Sequence, residues 1–137
     1  MGLWLKDALA HATWLHVLWR HPDKVSLATQ AQMVNVLGPI YTTPNAVVRQ
    51  TTFHPLAVAR RCAQSTGLDV AVLAEAGIDA ANAPGGGMAA LDAAATCDPD
   101  SGQVHLSLVN RLPDDELSVD IEGPLTLPPH SHVTLVF

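Results

Sequence analysis

A chain of 137 residues can build one domain with its own core but not a complete enzyme barrel. With 48% hydrophobic and 15% charged residues it has the composition of globular protein, which excludes a disordered chain. Seven Lys and Arg against thirteen Asp and Glu give a formal charge of −6, leaving no basic stripe for a nucleic-acid backbone or an anionic membrane surface.

The N-terminus, MGLWLKDALAHATW, places Lys6, Asp7 and His11 where a signal peptide needs an unbroken apolar core. No run approaches the ~20 residues of a membrane span, so the chain is expected to be soluble and cytoplasmic. Asp7–His21 then reads as a helix, with Ala8, Leu9, Ala12, Leu15 and Trp19 on one apolar stripe. Asp7 and Arg20 suit the two ends of its dipole, and Pro22 closes it. Lys24–Ile40 is apolar without a polar face, the pattern of a strand buried on both sides, although periodicity alone leaves a buried helical turn open. Gly38-Pro39 ends the run and Thr43-Pro44-Asn45 forms a loop. Thr51 or Thr52 can cap a second helix over Phe53–Gln64, with Pro55 in its first turn and Gly67 as its stop.

Beyond Gly67 the period changes to two. LDVAVLA, MAALDAAAT, QVHLSLVN, ELSVDIE and SHVTLVF alternate between turn clusters rich in Pro, Asp and Gly, which predicts an antiparallel sheet, most simply a sandwich. The boundary falls near Thr66-Gly67, separating segment 1–66 from segment 67–137. Two helices around a strand that needs cover on both faces are a slice of an α/β layer, not a closed core.

Cys62 and Cys97 match no metal-ligand spacing and read as free thiols, a single bridge being the alternative. Among the thirteen carboxylates, Asp98, Asp100, Asp114 and Asp115 fall in turns, and Asp69, Asp92, Glu116, Asp120 and Glu122 are expected to face water. No pair is placed as an acid and a nucleophile would need. His130 and His132, with His105, could supply three nitrogens to a metal, but HxH is a weak signal and solvent-facing histidines are the favoured reading. Gly85-Gly86-Gly87 lacks the Lys of a phosphate loop and reads as a hairpin loop, and no GxSxG is present. No cofactor is indicated. Gln32 and Asn35 stand out as carboxamides inside an apolar run. They are either core amides satisfied by backbone or residues at a strand end facing a cleft.

The segments LKDALAHATWLHVLWRHPDKVSLATQAQMVNVLGPIYT and VVRQTTFHPLAVA resemble the end of the catalytic barrel in the α-L-arabinofuranosidases of glycoside hydrolase family 51. The likeness lies in the DAL helix, the RHxDxV step, the AQxVNVxxPI strand and the QTTxxP start of the last helix. LDAAAT, SLVNR and LPPHSHVTL resemble that family's C-terminal β-sandwich. The resemblance implies a fold class in two parts: an α/β fragment (last strand and helices of a TIM barrel, 1–66), then an all-β antiparallel sandwich, jelly-roll-like (67–137). It implies that Gln32 bonds the arabinose in the subsite before the cleaved bond, where a carboxamide offers donor and acceptor.

The family retains configuration with two glutamates whose carboxyls stand about 5–5.5 Å apart. Both lie upstream of anything in this sequence, so the chain alone is expected to be inert. The implied partners are the remainder of the barrel, in the same or a separate chain, and arabinofuranosyl oligosaccharides, with a homo-oligomeric parent. His54 and Leu56 depart from the family's usual aromatics, and only Pro124, Leu125 and Thr126 separate DIEG from LPPHSH, where the family commonly has a few tens of residues more. The competing reading is a non-catalytic β-sandwich module for subunit association or carbohydrate binding. Against glycan binding, Phe137 is the only aromatic after Phe53.

Overall fold

The predicted apolar stripe winds into helix α1 (Leu5–Trp19), burying Ala8, Leu9, Ala12 and Leu15. The helix belongs to a computed structural model that describes residues 4–62, 66–73, 77–78, 87–121, 123–129 and 131–137. Extended backbone at Trp4 opens α1, and the Trp4 N–H donates to Asp7 Oδ2 at 2.6 Å, which satisfies one of the free groups at a helix start. At the other end the N–H groups of Arg20 and His21 reach His16 O and Leu18 O, and Pro22 stops the winding. Two residues of the helix differ from expectation: Trp19, a member of the stripe, is only partly covered, and His16, outside it, is buried beside the apolar residues.

The strand expected within Lys24–Ile40 is not formed. Among the described residues, strand-type pairing over 24–39 is limited to an isolated bridge between Val34 and Ile40, and Leu27, Val36 and Leu37 are 80%, 69% and 60% exposed. The physical reason is the absence of neighbours. A strand buried on both faces needs partners at its edges and layers above and below, and no described residue supplies them. In its place the chain makes a hairpin that the sequence reading missed, β1 (Ile40–Thr43) and β2 (Ala46–Arg49), paired antiparallel from Ile40↔Arg49 to Thr43↔Ala46. Pro44 and Asn45 make its two-residue turn.

Helix α2 (Phe53–Cys62) follows and packs on α1, burying Pro55, Ala59 and Cys62. Neither threonine caps it by side chain: the Thr51 hydroxyl donates instead to Trp4 O at 3.0 Å, tying the start of α2 to the start of α1. The end expected at Gln64 lies outside the described residues. Gly67, expected as the stop, sits inside strand β3 (Thr66–Leu68). A Cβ there would lie 2.6 Å from Trp19 O, so glycine is what lets β3 pass beneath the end of α1.

The rest is antiparallel, as its period of two predicted. Strands β4 (Gly77–Ile78) and β5 (Met88–Ala89) pair with each other. Strands β6 (Leu91–Cys97), β7 (Val104–Asn110) and β10 (His132–Val136) join β3 in a four-stranded sheet of order β10-β7-β6-β3. Strand β8 (Leu117–Asp120) pairs with β9 (Pro124–Leu127), which begins at a proline and was not anticipated. LDVAVLA contributes only the end of β3, and Val70–Leu73 runs on without strand pairing.

Register assigns the two faces. Asp92↔Val109 and Ala94↔Ser107 put these four residues on the face under α1, where Leu9, Ala12 and Val109 form a small apolar cluster. The neighbouring pair Ala93↔Leu108 points the other way, toward the β8–β9 hairpin. There Leu91, Ala93, Leu108 and Leu127 form the main core, flanked by Leu106, Leu117, Val119, Leu125, Val133 and Leu135. Six consecutive residues of β6 are buried because both faces are covered. Short side chains at Ala90 and Ala94 suit the close approach of the helix.

Asn110, fully buried at the end of β7, fastens the hairpin layer to the sheet. Its Nδ2 donates toward Asp115 O, Leu127 O and Pro128 O at 3.0–3.2 Å, and its Oδ1 accepts from Leu112 N at 2.9 Å. Asn110→Ala strands these buried groups and is expected to cost about 1–3 kcal/mol, read by urea unfolding. A loss below a few tenths of a kcal/mol would contradict that role.

Candidate functional site

Gln32, the sugar-contact residue that the resemblance implies, lies in the irregular segment ahead of β1 and is exposed. It has φ +55°, and Asn35 and Val36 have φ +61° and +54°. For a β-branched residue such as Val36 that conformation is a true outlier, and each such residue costs about 1–3 kcal/mol unless its surroundings impose it. Several bonds do impose it. Asn35 N–H donates to Ile40 O at 2.7 Å, Ile40 N–H to Met33 O at 3.1 Å and Gly38 N–H to Asn35 O at 2.7 Å.

The Asn35 side chain adds a second layer: its Oδ1 accepts from Thr42 N at 2.7 Å and its Nδ2 donates to Thr42 Oγ1 at 3.0 Å. Gln50 closes the knot from the far side, donating from Nε2 to Gly38 O at 2.6 Å and from its backbone N–H to Pro39 O at 2.8 Å. At Gly38 a Cβ would fall 2.3 Å from Gln32 O, so the turn closes only on glycine. The two carboxamides of the sequence motif therefore divide their work. Asn35 is a brace between the segment and β1, whereas the Gln32 amide makes no hydrogen bond among the described residues.

A second polar constellation, which the sequence reading did not assemble, lies buried between α1 and the sheet. His16 Nδ1 is 2.7 Å from Asp92 Oδ2, and His16 Nε2 is 2.8 Å from Ser107 Oγ. Ser107 Oγ is also 2.8 Å from His132 Nε2 on β10. Asp92 Oδ1 accepts from Arg20 Nη2 and from Arg111 Nη2, the latter at 3.1 Å. Burial alone would raise the Asp92 carboxyl, but the His16 bond and the charges of Arg111, His16 and Arg20 hold it below the usual carboxylate value. Burial, with His16 beside it, lowers His132 to about 4.

Asp92 was expected to face water. It faces α1 instead, because the helix covers that side of the sheet and brings its own cation. His132 is likewise corrected from solvent-facing to a partly buried bonding partner. The signal in the sequence was His16 itself, a polar residue beside the apolar stripe, between Leu15 and Trp19.

In outline Asp92–His16–Ser107 matches the order of a hydrolytic triad. Ser107 and His16 are each 1% exposed, however, and the hydroxyl already lies between two imidazoles, so no substrate carbonyl could reach it. Its chemistry is structural.

The metal reading is not supported. His132 aligns with Val109 and His105 with Val136, at opposite ends of the β7–β10 ladder, and His130 lies outside the described residues. No group of three ligand-type residues occurs among the described residues. Gly85 and Gly86 also lie outside them, while Gly87 is exposed. Cys62 and Cys97 are free, and burial raises the Cys62 thiol. An apolar cleft of about 640 Å³ opens between Val70–Leu73, the β6–β7 face and β8. Among the described residues Ser118 and Asp120 are its polar lining residues.

With this geometry in view, comparison with known proteins is decisive on family. A family model described as the alpha-L-arabinofuranosidase C-terminal domain matches residues 3–135. The chain belongs to this family. A probable alpha-L-arabinofuranosidase C of Aspergillus terreus is 32% identical over 125 residues, covering 88% of this chain and 24% of that protein. An intracellular exo-alpha-(1->5)-L-arabinofuranosidase of Streptomyces lividans is 43% identical over 67 residues, 48% of this chain and 10% of that one.

Among solved structures, AbfB of Bifidobacterium longum, a family 51 alpha-L-arabinofuranosidase, superposes with a TM-score of 0.75 at 30% identity, over 90% of this chain and 24% of that one. The Thermotoga maritima alpha-L-arabinofuranosidase, in an arabinose complex, shares the fold at 21% identity, with a TM-score of 0.71 over 100% of this chain and 37% of that one. The chain thus corresponds to the C-terminal portion of a family 51 protein, and it spans 10–24% of the length of these curated relatives.

Proposed function

We propose that this chain supplies the C-terminal part of a retaining α-L-arabinofuranosidase that removes terminal arabinofuranosyl groups from arabinan or arabinoxylan oligosaccharides. The family match over 3–135 carries this reading, together with relatives named as arabinofuranosidases of which the chain covers a quarter or less. In this reading residues 1–66 complete a (β/α)₈ barrel, residues 67–137 form the jelly-roll-like sandwich, and segment 24–40 takes up its strand only between neighbouring barrel strands. Its exposed Leu27, Val34, Val36 and Leu37 are the surface such neighbours would bury. The enzyme acts inside the cell, a reading supported by the Streptomyces relative, which is described as intracellular.

Gln32 contributes the sugar contact. Its support is the exposed carboxamide on a backbone that Asn35, Gly38 and Gln50 hold in a strained form, the kind of fixed geometry found where a ligand is positioned. The acid and the nucleophile come from elsewhere, since Asp92, the buried carboxylate among the described residues, is paired with two arginines and hydrogen-bonded to a histidine.

The test is direct. The pure 137-residue chain, incubated with p-nitrophenyl α-L-arabinofuranoside, is expected to release no nitrophenol above the buffer blank. Saturable release would overturn the division of labour between this chain and the missing barrel.

A further inference from the structure

The helix α1 has a small apolar hold on the sheet. Leu9, Ala12 and Val109 are the buried residues of that cluster, compared with the larger core on the opposite face. What else fastens it is the polar network of His16 and Arg20 from α1, Asp92 from β6, Ser107 from β7, Arg111 just after β7 and His132 from β10. These are the charged and titratable groups facing one another across that interface among the described residues.

Hydrogen positions in the network are constrained. A serine hydroxyl has one proton to give, so of the two imidazole Nε2 atoms at 2.8 Å, Ser107 donates to one and must accept from the other. Asp92 requires a proton on His16 Nδ1. With both rings neutral, one assignment satisfies every group: His132 Nε2–H to Ser107, Ser107 to His16 Nε2, and His16 Nδ1–H to Asp92. In that state the cluster already carries a net charge of about +1, from Arg20 and Arg111 against Asp92. A further proton raises it to about +2 with the two imidazoles 6.0 Å apart, in a partly buried site where water screens them less than in bulk. His132 sits on β10, at the edge of the sheet, so it is the member able to leave.

We propose that this clasp is acid-operated: a proton taken up at His132 Nδ1, with Nε2–H still on Ser107, raises the net positive charge of the cluster, and that repulsion detaches α1 from the β6–β7 face while the sheet remains folded. The lowering of His132 by burial sets the range, below neutral and toward pH 4.

The tryptophans provide a selective probe, because all three, Trp4, Trp14 and Trp19, lie on α1 or its first cap, with the Trp19 ring 5.5 Å from that of His16. Emission of the full chain, followed from pH 7.5 to 3.5 beside the far-ultraviolet signal of the sheet, should change between pH 6.5 and 4 while the sheet signal holds. His132→Gln, which can bond Ser107 but cannot titrate, should lower the midpoint by at least one pH unit. An unchanged midpoint in His132→Gln, or simultaneous loss of emission and sheet signals in the unaltered chain, overturns the proposal. Should His132→Gln not fold at pH 7.5, histidine resonances of the unaltered chain decide. The His132 signal should move in step with the emission, and emission that instead follows His11, whose ring is 5.8 Å from Trp14, overturns it.

Discussion

Asp92→Ala is expected to cost about 3–5 kcal/mol, the usual penalty for deleting one partner of a buried ion pair and leaving the others uncompensated. The aspartate is 5% exposed and bonded to His16, Arg20 and Arg111. Without it Arg111, itself mostly covered, loses its counter-charge, and His16 Nδ1–H loses its acceptor. Asp92→Asn, which retains an acceptor but not the charge, should lie between alanine and the unaltered protein. A cycle combining Asp92→Ala with Arg111→Ala should show coupling of about 0.5–3 kcal/mol, as residues of one network do. The measurement is urea unfolding at pH 7.5. A loss under about 1 kcal/mol for Asp92→Ala would show that the charges are solvated and the helix is held by apolar contacts alone.

Acidification is the second large effect. His132 has its folded value depressed from 6.5 to about 4, so between these limits the unfolded chain binds the proton and the folded chain does not. Its contribution is therefore fully present above about pH 6.5 and is lost as the pH falls toward 4, a change of about 3 kcal/mol in unfolding free energy between pH 7 and pH 4. Asp92 acts in the same direction in a lower window. Its folded value is held below the ordinary 3.8, so its contribution is present above 3.8 and is lost as the pH falls further. His132→Gln should flatten the slope between pH 6.5 and 4 and leave the more acidic loss in place. Equal unfolding free energies at pH 7 and pH 4 in the unaltered chain would contradict the burial of His132.

Local patterning carried the sequence reading where it succeeded. The three- and four-residue spacing from Ala8 to Leu15 defined α1, and the period-two segments gave the antiparallel strands β6, β7, β8 and β10. It failed where a residue's role depends on a distant partner. Asp92 alternates with apolar neighbours as a solvent-facing residue does, and only the placement of α1 over that face, with Arg20 from 72 positions away, makes it a buried anion. His132 reads from the sequence as a solvent-facing histidine, and only the β7–β10 ladder brings it to Ser107. Strand β9 was missed because proline at its start argues against a central strand, although it is tolerated in a two-stranded edge pair.

The apolar run 24–40 was read as a buried strand because composition reports what a segment can bury, not whether anything is there to bury it. For the candidate site, Asn35 could be named but not assigned until Thr42 was seen beside it, and the strain at Gln32, Asn35 and Val36 has no sequence signature at non-glycine positions.

The most direct test joins this chain to a barrel. Residues 3–135 would replace the matching C-terminal quarter of the Bifidobacterium longum family 51 enzyme, to which 90% of this chain superposes with a TM-score of 0.75. Hydrolysis of p-nitrophenyl α-L-arabinofuranoside would then be followed in the chimera with Gln32 intact and with Gln32→Ala. The expected result is hydrolysis by the chimera and a fall in kcat/KM of roughly 10- to 1000-fold for Gln32→Ala, the span of one to a few lost hydrogen bonds in a transition state. A folded chimera without activity, or one whose kcat/KM is indifferent to Gln32, would contradict the account.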